Sequence, residues 1–270
     1  MSTPIFTGAG VALITPMNSD GSVNFDELGR LLEFQIENGT DAIIACGTTG
    51  EAATLSVEEH KAVLSYVAEK VNKRIPVIAG TGSNDTATAI SLSKSAQKYG
   101  ADGLLSVTPY YNKTSQAGLV KHFTTIADSV DLPIILYNVP SRTGCNMQPK
   151  TYAELEKHQN IVGVKEANGD ISSVSLTRSL CSDDFAIYSG NDDQTVPFMS
   201  LGGKGVISVF SNFCPKEMHE ICQACLDNDF QRAAEMNFHF VELMDIMFSD
   251  VNPIPVKTAM NLIGFNAGEC

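Results

Sequence analysis

A chain of 270 residues that is 43% hydrophobic and 18% charged can bury a sizeable core as one domain without disulfide or metal staples, and disorder is excluded. The net charge of −13, with no basic cluster, argues against a nucleic-acid partner, because neutralising phosphates takes a surplus of Lys and Arg. No apolar run approaches the roughly 20 residues that span a bilayer, and seven irregularly spaced cysteines behind a start (Met1-Ser2-Thr3-Pro4) with no basic, apolar leader predict free thiols in a reducing cytoplasm.

Along the chain, short β-branched runs alternate with longer stretches of helical periodicity, the rhythm of parallel βαβ units. A strand at 11–15 leads to a helix at 25–38, and a strand at 42–46 to a helix at 57–71 whose start, Ser56 with Glu59, reads as a capping box. A strand at 77–79 precedes a helix at 86–99. Gly39 and Gly100 stand where C-terminal glycines belong. Strands at 103–108, 134–138, 162–166 and 186–189 then precede helices at 119–129, 152–157, 173–181 and 196–201, and an eighth strand lies at 206–209. Near-continuous apolar strands flanked by amphipathic helices suit a parallel sheet covered on its outer face. Eight such units predict an α/β fold closed as a (β/α)8 TIM barrel. Only helices follow, at 215–227, 229–248 and 255–263, so residues 1–228 are expected to form the barrel domain and 229–270 a C-terminal helical segment.

In such barrels the site forms where the strands end and the next loops begin. The second strand runs into Gly47-Thr48-Thr49-Gly50-Glu51, the fourth into Pro109-Tyr110-Tyr111-Asn112, and the fifth into Tyr137-Asn138-Val139-Pro140-Ser141-Arg142-Thr143-Gly144. Lys165-Glu166, Ser189-Gly190-Asn191-Asp192-Asp193 and Val206-Ile207 complete the rim. Lys165 is the most telling residue, because it interrupts the apolar run Ile161-Val162-Gly163-Val164 where its head would face the barrel interior. There, desolvation favours a free amine able to attack a ketone carbonyl. An ion network with Glu51, Asp192 or Asp193 suits the residue type equally well. Tyr137, at the end of the neighbouring strand, is placed to shuttle protons at an imine on Lys165, or to serve as a core aromatic. Thr48 and Thr49 can offer hydroxyls and backbone N–H groups to a carboxylate, or simply form a tight turn between Gly47 and Gly50. Arg142 suits bidentate carboxylate recognition, although most loop arginines are solvated.

Other chemistries lack their signatures. None of the five histidines, all in helical segments, forms a His-x-His or His-Glu-x-x-His pair, and Cys222 with Cys225 reads as plain helix, so no metal site is expected. Gly8-Ala9-Gly10 and Gly80-Thr81-Gly82 lack the third glycine of a dinucleotide fingerprint, and Gly202-Gly203-Lys204-Gly205 precedes a strand where a phosphate loop would follow one. No nucleotide cofactor is indicated, and no Gly-x-Ser-x-Gly elbow supports a serine hydrolase.

Taken together, and in this order and separation, Gly47-Thr48-Thr49-Gly50-Glu51, Tyr137-Asn138-Val139-Pro140 and Val164-Lys165-Glu166-Ala167 resemble the pyruvate-dependent class I aldolase/lyase family. The likeness runs from the first strand to Asn252-Pro253-Ile254-Pro255-Val256-Lys257, and it implies C-terminal helices that would be incomplete here. Tyr110-Tyr111-Asn112 and the Arg142 loop look like the dihydrodipicolinate synthase group, since sialic acid lyases generally lack that arginine. The resemblance implies a cofactor-free lyase in which Lys165 condenses with pyruvate, with Tyr137, Thr48 and Tyr111 as the proton relay. Thr49 would hold the pyruvate carboxylate and Arg142 the carboxylate of aspartate semialdehyde, while Gly190 and Ile207 would line the pocket through backbone groups. Tyr111 would come from a partner subunit, implying a homodimer at least and usually a homotetramer. A lysine-feedback pocket is matched in part by Ala52, His60, Asn84 and Tyr110, but Val57 and Thr88 stand where strongly inhibited members carry histidine and glutamate, which predicts weak or absent inhibition. A sibling aldolase acting on sialic or 2-keto-3-deoxy sugar acids, and a non-catalytic barrel that binds a keto acid, are the competing readings.

Overall fold

The computed structural model describes residues 4–270. Eight parallel strands, β1 (Gly8–Ala12), β2 (Ala42–Ala45), β3 (Val77–Gly80), β4 (Gly103–Val107), β5 (Ile134–Asn138), β6 (Ile161–Glu166), β7 (Ala186–Ser189) and β8 (Gly205–Ser208), close into a barrel in sequence order. β8 returns to β1, with Gly8 opposite Gly205 and Gly10 opposite Ile207. Between the strands run α1 (Phe25–Glu37), α2 (Val57–Val71), α3 (Thr86–Tyr99), α4 (Gln116–Ala127), the single turn α5 (Pro140–Thr143), α6 (Pro149–Leu155), α7 (Ile171–Leu180) and α8 (Thr195–Ser200). Each strand is apolar on both faces because both are buried. Side chains pointing inward, among them Phe6, Ile44, Leu105, Tyr137, Tyr188 and Ile207, fill the barrel. Those pointing outward, such as Val11, Leu104, Leu136 and Val164, pack under the helices.

The predicted barrel is the observed one, and most elements agree to within a residue or two. The Ser56–Glu59 capping box forms, and Gly100 caps α3 in the left-handed conformation. The first strand lies three residues earlier than expected, at Gly8–Ala12. Gly8 and Gly10 look like turn residues, but the strand uses them for close approach: a β-carbon on Gly8 would overlap the Asp41 carboxylate, and one on Gly10 would meet Ile44 at 2.7 Å. α4 and α6 begin earlier than expected, capped by Ser115 and started by Pro149 at the first turn. His158 lies just past α6 rather than in a helix.

α9 (Pro215–Leu226) and α10 (Phe230–Ile246) share an apolar cluster with Ala9, Val206 and Phe210, and Cys222 and Cys225 of α9 are buried in it. α11 (Ile254–Leu262) returns to the barrel, where Val256, Met260 and Ala267 join the main core. No helix among the described residues is long and apolar enough to cross a membrane.

Candidate active site

β5 and β6 pair so that Tyr137 lies opposite Lys165. Because side chains alternate along a strand, Val164 points outward, Lys165 inward and Glu166 outward again. Lys165 is 5% exposed, and its Nζ stands 4.5 Å from the centroid of the Tyr137 ring. The expected alternative of an ion network is not what forms. Glu51 is taken by Lys257 at 2.7 Å, and Asp192 accepts from the backbone N–H groups of Val209 and Phe210 at 3.1 and 3.0 Å. Asp193 is exposed. Burial raises the pKa of the Asp192 carboxyl, although the Ser208 hydroxyl, those two N–H groups and the charge of Lys165 oppose the shift. The Lys165 head makes no ion pair among the described residues; it lies over the Tyr137 ring, with the Asp192 carboxylate near enough to act on it electrostatically.

Beside it, the loop after β2 is held on several sides. Thr15 donates to the Gly50 carbonyl at 2.8 Å, Asn252 donates to Thr49 Oγ1 at 2.9 Å, and Glu51 holds a left-handed φ of 57°. Thr48 is half-buried and Thr49 buried.

The loop after β5 carries Arg142 in the turn α5. Asn138 anchors it: its Nδ2 donates to Asn146 Oδ1 at 2.8 Å and to Glu166 Oε1 at 2.9 Å, while its Oδ1 accepts from the Met147 N–H. Arg142 is exposed and makes no ion pair among the described residues; it donates to the Asn252 carbonyl at 3.3 Å. Gly190 donates its N–H to the Glu166 carbonyl at 2.8 Å, and a β-carbon there would meet that of Ala167 at 2.6 Å, so only glycine lets β7 close against β6. Ile207 is fully buried in the cluster that holds Tyr137.

On the outer face of β6, Glu166 is surrounded by donors: Tyr152 Oη at 2.6 Å, Asn138 Nδ2, and the Asn168 N–H at 3.0 Å. Burial outweighs them and pushes its carboxyl up to about 7, while burial and the neighbouring Glu166 carry the Tyr152 phenol well above its ordinary value. Sequence reasoning missed this cluster, although Asn138 and Glu166 sit inside two of the three motifs it relied on.

A cavity of about 400 Å³ opens at the rim, bordered by Thr48, Tyr137, Arg142 and Thr143, and continues to Ala52, Val57, His60, Thr88 and Tyr110. Of the residues expected at the site, Lys165, Thr49, Gly190, Ile207, Tyr111 and Asn84 are not among those that line it. Tyr111 is 91% exposed at a φ of 69°, and Asn84 serves Asn112 through its carbonyl. His60 Nε2 meets the Gly80 carbonyl at 2.9 Å, and burial lowers the ring's pKa.

The profile of the Dihydrodipicolinate synthetase family matches residues 5–270. The chain belongs to this family. A 4-hydroxy-tetrahydrodipicolinate synthase of Thermoanaerobacter sp. is 58% identical over 266 residues, covering 98% of this chain and 89% of that one. The enzyme of that name from Acetivibrio thermocellus is 56% identical over 270 residues, or 100% of this chain and 91% of that one. The crystal structure of dihydrodipicolinate synthase from Aquifex aeolicus superimposes with a TM-score of 0.95 at 46% identity, covering 96% and 89% of the two chains.

Proposed function

We propose that the protein is a 4-hydroxy-tetrahydrodipicolinate synthase, a class I lyase that joins pyruvate to L-aspartate 4-semialdehyde through a Schiff base on Lys165. The observation that carries this reading is the buried Lys165 amine, which makes no ion pair among the described residues and lies over the ring of Tyr137, a residue that borders the cavity.

Lys165 Nζ attacks C2 of pyruvate, and loss of water gives the iminium. Removal of a C3 proton turns it into an enamine, with electrons stored on C3. The enamine carbon then bonds to the semialdehyde carbon, whose oxygen takes up a proton and becomes the product hydroxyl. The substrate's own amine attacks C2, closes the ring and expels the lysine, so one water is released overall. Tyr137 is the proton carrier nearest the imine, with Thr48 beside it. Thr49 donates to the pyruvate carboxylate and Arg142 to that of the semialdehyde. Gly190 and Ile207 line the pocket through backbone groups. Tyr111, turned out to solvent, completes the relay in the site of a second copy, which makes the active species at least a homodimer. Ala52, His60 and Tyr110 form an incomplete lysine pocket, from which Asn84 stands apart.

Borohydride trapping tests this reading. Pyruvate should leave a reduced adduct on Lys165, located by peptide mapping, and the protein should turn over aspartate semialdehyde. An adduct without turnover would move the substrate to a sibling aldolase, and no adduct would remove the Schiff-base mechanism.

A further inference from the structure

The segment Asn252–Lys257 has no part in the steps above, yet it meets the site at three points. Asn252 is 6% exposed, and its Nδ2 donates to Thr49 Oγ1 at 2.9 Å across 203 residues of chain. Its backbone carbonyl accepts from Arg142 Nη2 at 3.3 Å. Lys257, 1% exposed, reaches Glu51 Oε1 at 2.7 Å and the Glu269 carbonyl at 2.8 Å. The segment thus grips the Thr48–Glu51 loop on both sides of Gly50, next to the left-handed Glu51, a conformation that persists only when its surroundings enforce it.

A hydroxyl is both donor and acceptor. Because Asn252 fills an acceptor position on Thr49 Oγ1, and this hydroxyl donates to no group among the described residues, its hydrogen is left for a ligand. We propose that Asn252 is a positioning residue: it turns the Thr49 hydroxyl into a donor aimed at the pyruvate carboxylate and ties Thr49 to Arg142, so that the two carboxylate-binding groups form one frame. The Lys257–Glu51 pair holds that frame on the barrel. The inference rests on the reading of the site given above.

The chemistry makes Asn252→Asp more informative than truncation. An aspartate is the same size, but it accepts only; it would draw the Thr49 hydrogen to itself and set a negative charge beside the bound carboxylate. A merely structural asparagine predicts lost stability or active fraction, not a change in affinity that depends on donor against acceptor.

The experiment measures the pyruvate concentration that half-saturates borohydride-trapped adduct, by intact mass, for wild type, Asn252→Ala and Asn252→Asp, with KM for both substrates. Loss of one neutral hydrogen bond should raise the half-saturating pyruvate about 5- to 20-fold in Asn252→Ala, with kcat little changed. Asn252→Asp should raise it further, on the order of 100-fold, because a charge is involved. KM for the semialdehyde should rise only about 2- to 5-fold, since the Arg142 contact is long. Combined with Thr49→Val, the Asn252→Ala effect on pyruvate should largely vanish. If Asn252→Ala does not fold, Asn252→Ser makes the same comparison. Variants that stay within twofold of a wild type that forms the Lys165 adduct would overturn the inference and leave the function standing. So would a weakened Asn252→Ala beside an unaffected Asn252→Asp, which would mean that Thr49 donates to Asn252. A wild type that forms no adduct would overturn both.

Discussion

Glu166→Gln isolates the most perturbed carboxyl beside the site. The native side chain is buried, and its oxygens accept from Tyr152, Asn138 and the Asn168 N–H, yet burial still pushes the group up from 4.5 to about 7. Since the folded state holds the proton more tightly than the unfolded chain, stability falls as pH rises from about 4.5 to 7 and is level outside that window. A shift of about 2.5 units corresponds to about 3 kcal/mol. Glutamine carries no such titration, although its NH2 must face one of the donors, a constant cost of about 1–3 kcal/mol. The signature is therefore the change in the difference between the two proteins with pH rather than its value at any one pH. Denaturant unfolding of wild type and Glu166→Gln at several pH values should show the variant gaining about 3 kcal/mol relative to wild type between about pH 4.5 and 8. Parallel profiles, with a difference constant to within about 0.5 kcal/mol, would refute the reasoning, because Glu166 would then titrate alike in the folded and unfolded chains.

Tyr137→Phe keeps the ring under Lys165 and removes only the hydroxyl, so kcat should fall by about 100-fold while pyruvate still reaches Lys165 in a slow trapping reaction; unchanged kcat would assign the proton transfers elsewhere. Lys257→Met leaves the Glu51 carboxylate without its cation and should cost about 3–5 kcal/mol in denaturant unfolding, partly restored by adding Glu51→Gln. L-lysine at millimolar concentration should leave the coupled rate nearly unchanged, because Val57 and Thr88 line the cavity where a basic ligand would need an imidazole and a carboxylate. Potent inhibition would show that His60 and Tyr110 suffice.

The barrel was legible because strands buried on both faces must be apolar throughout, and glycines mark where they end. The same glycines hid the true start of β1, since Gly8 and Gly10 signal turns unless the close neighbours Asp41 and Ile44 are known. Lys165 was legible as the one charge in an apolar run. Asn252 and Lys257 were not, because their partners Thr49 and Glu51 lie 203 and 206 residues away and a lysine on an amphipathic helix looks like a surface lysine. Tyr111 was named in sequence, but in the fold its side chain is exposed and lines no cavity of this chain among the described residues.

Glu166 was hidden for a different reason. In sequence, Lys165 and Glu166 stand side by side at the end of the sixth strand. In a strand, adjacent residues face opposite ways, so the lysine points into the barrel against Tyr137 and the glutamate enters the outer layer against Tyr152. The two are still coupled through the strand pair, since Asn138 binds the Glu166 carboxylate while the residue before it, Tyr137, lies opposite Lys165. The hydrogen bonds of Glu166 thus tie the end of β6 to that of β5. Its replacement should change the pH dependence of stability more than the pH dependence of imine formation, and the opposite result would place its proton on the reaction path.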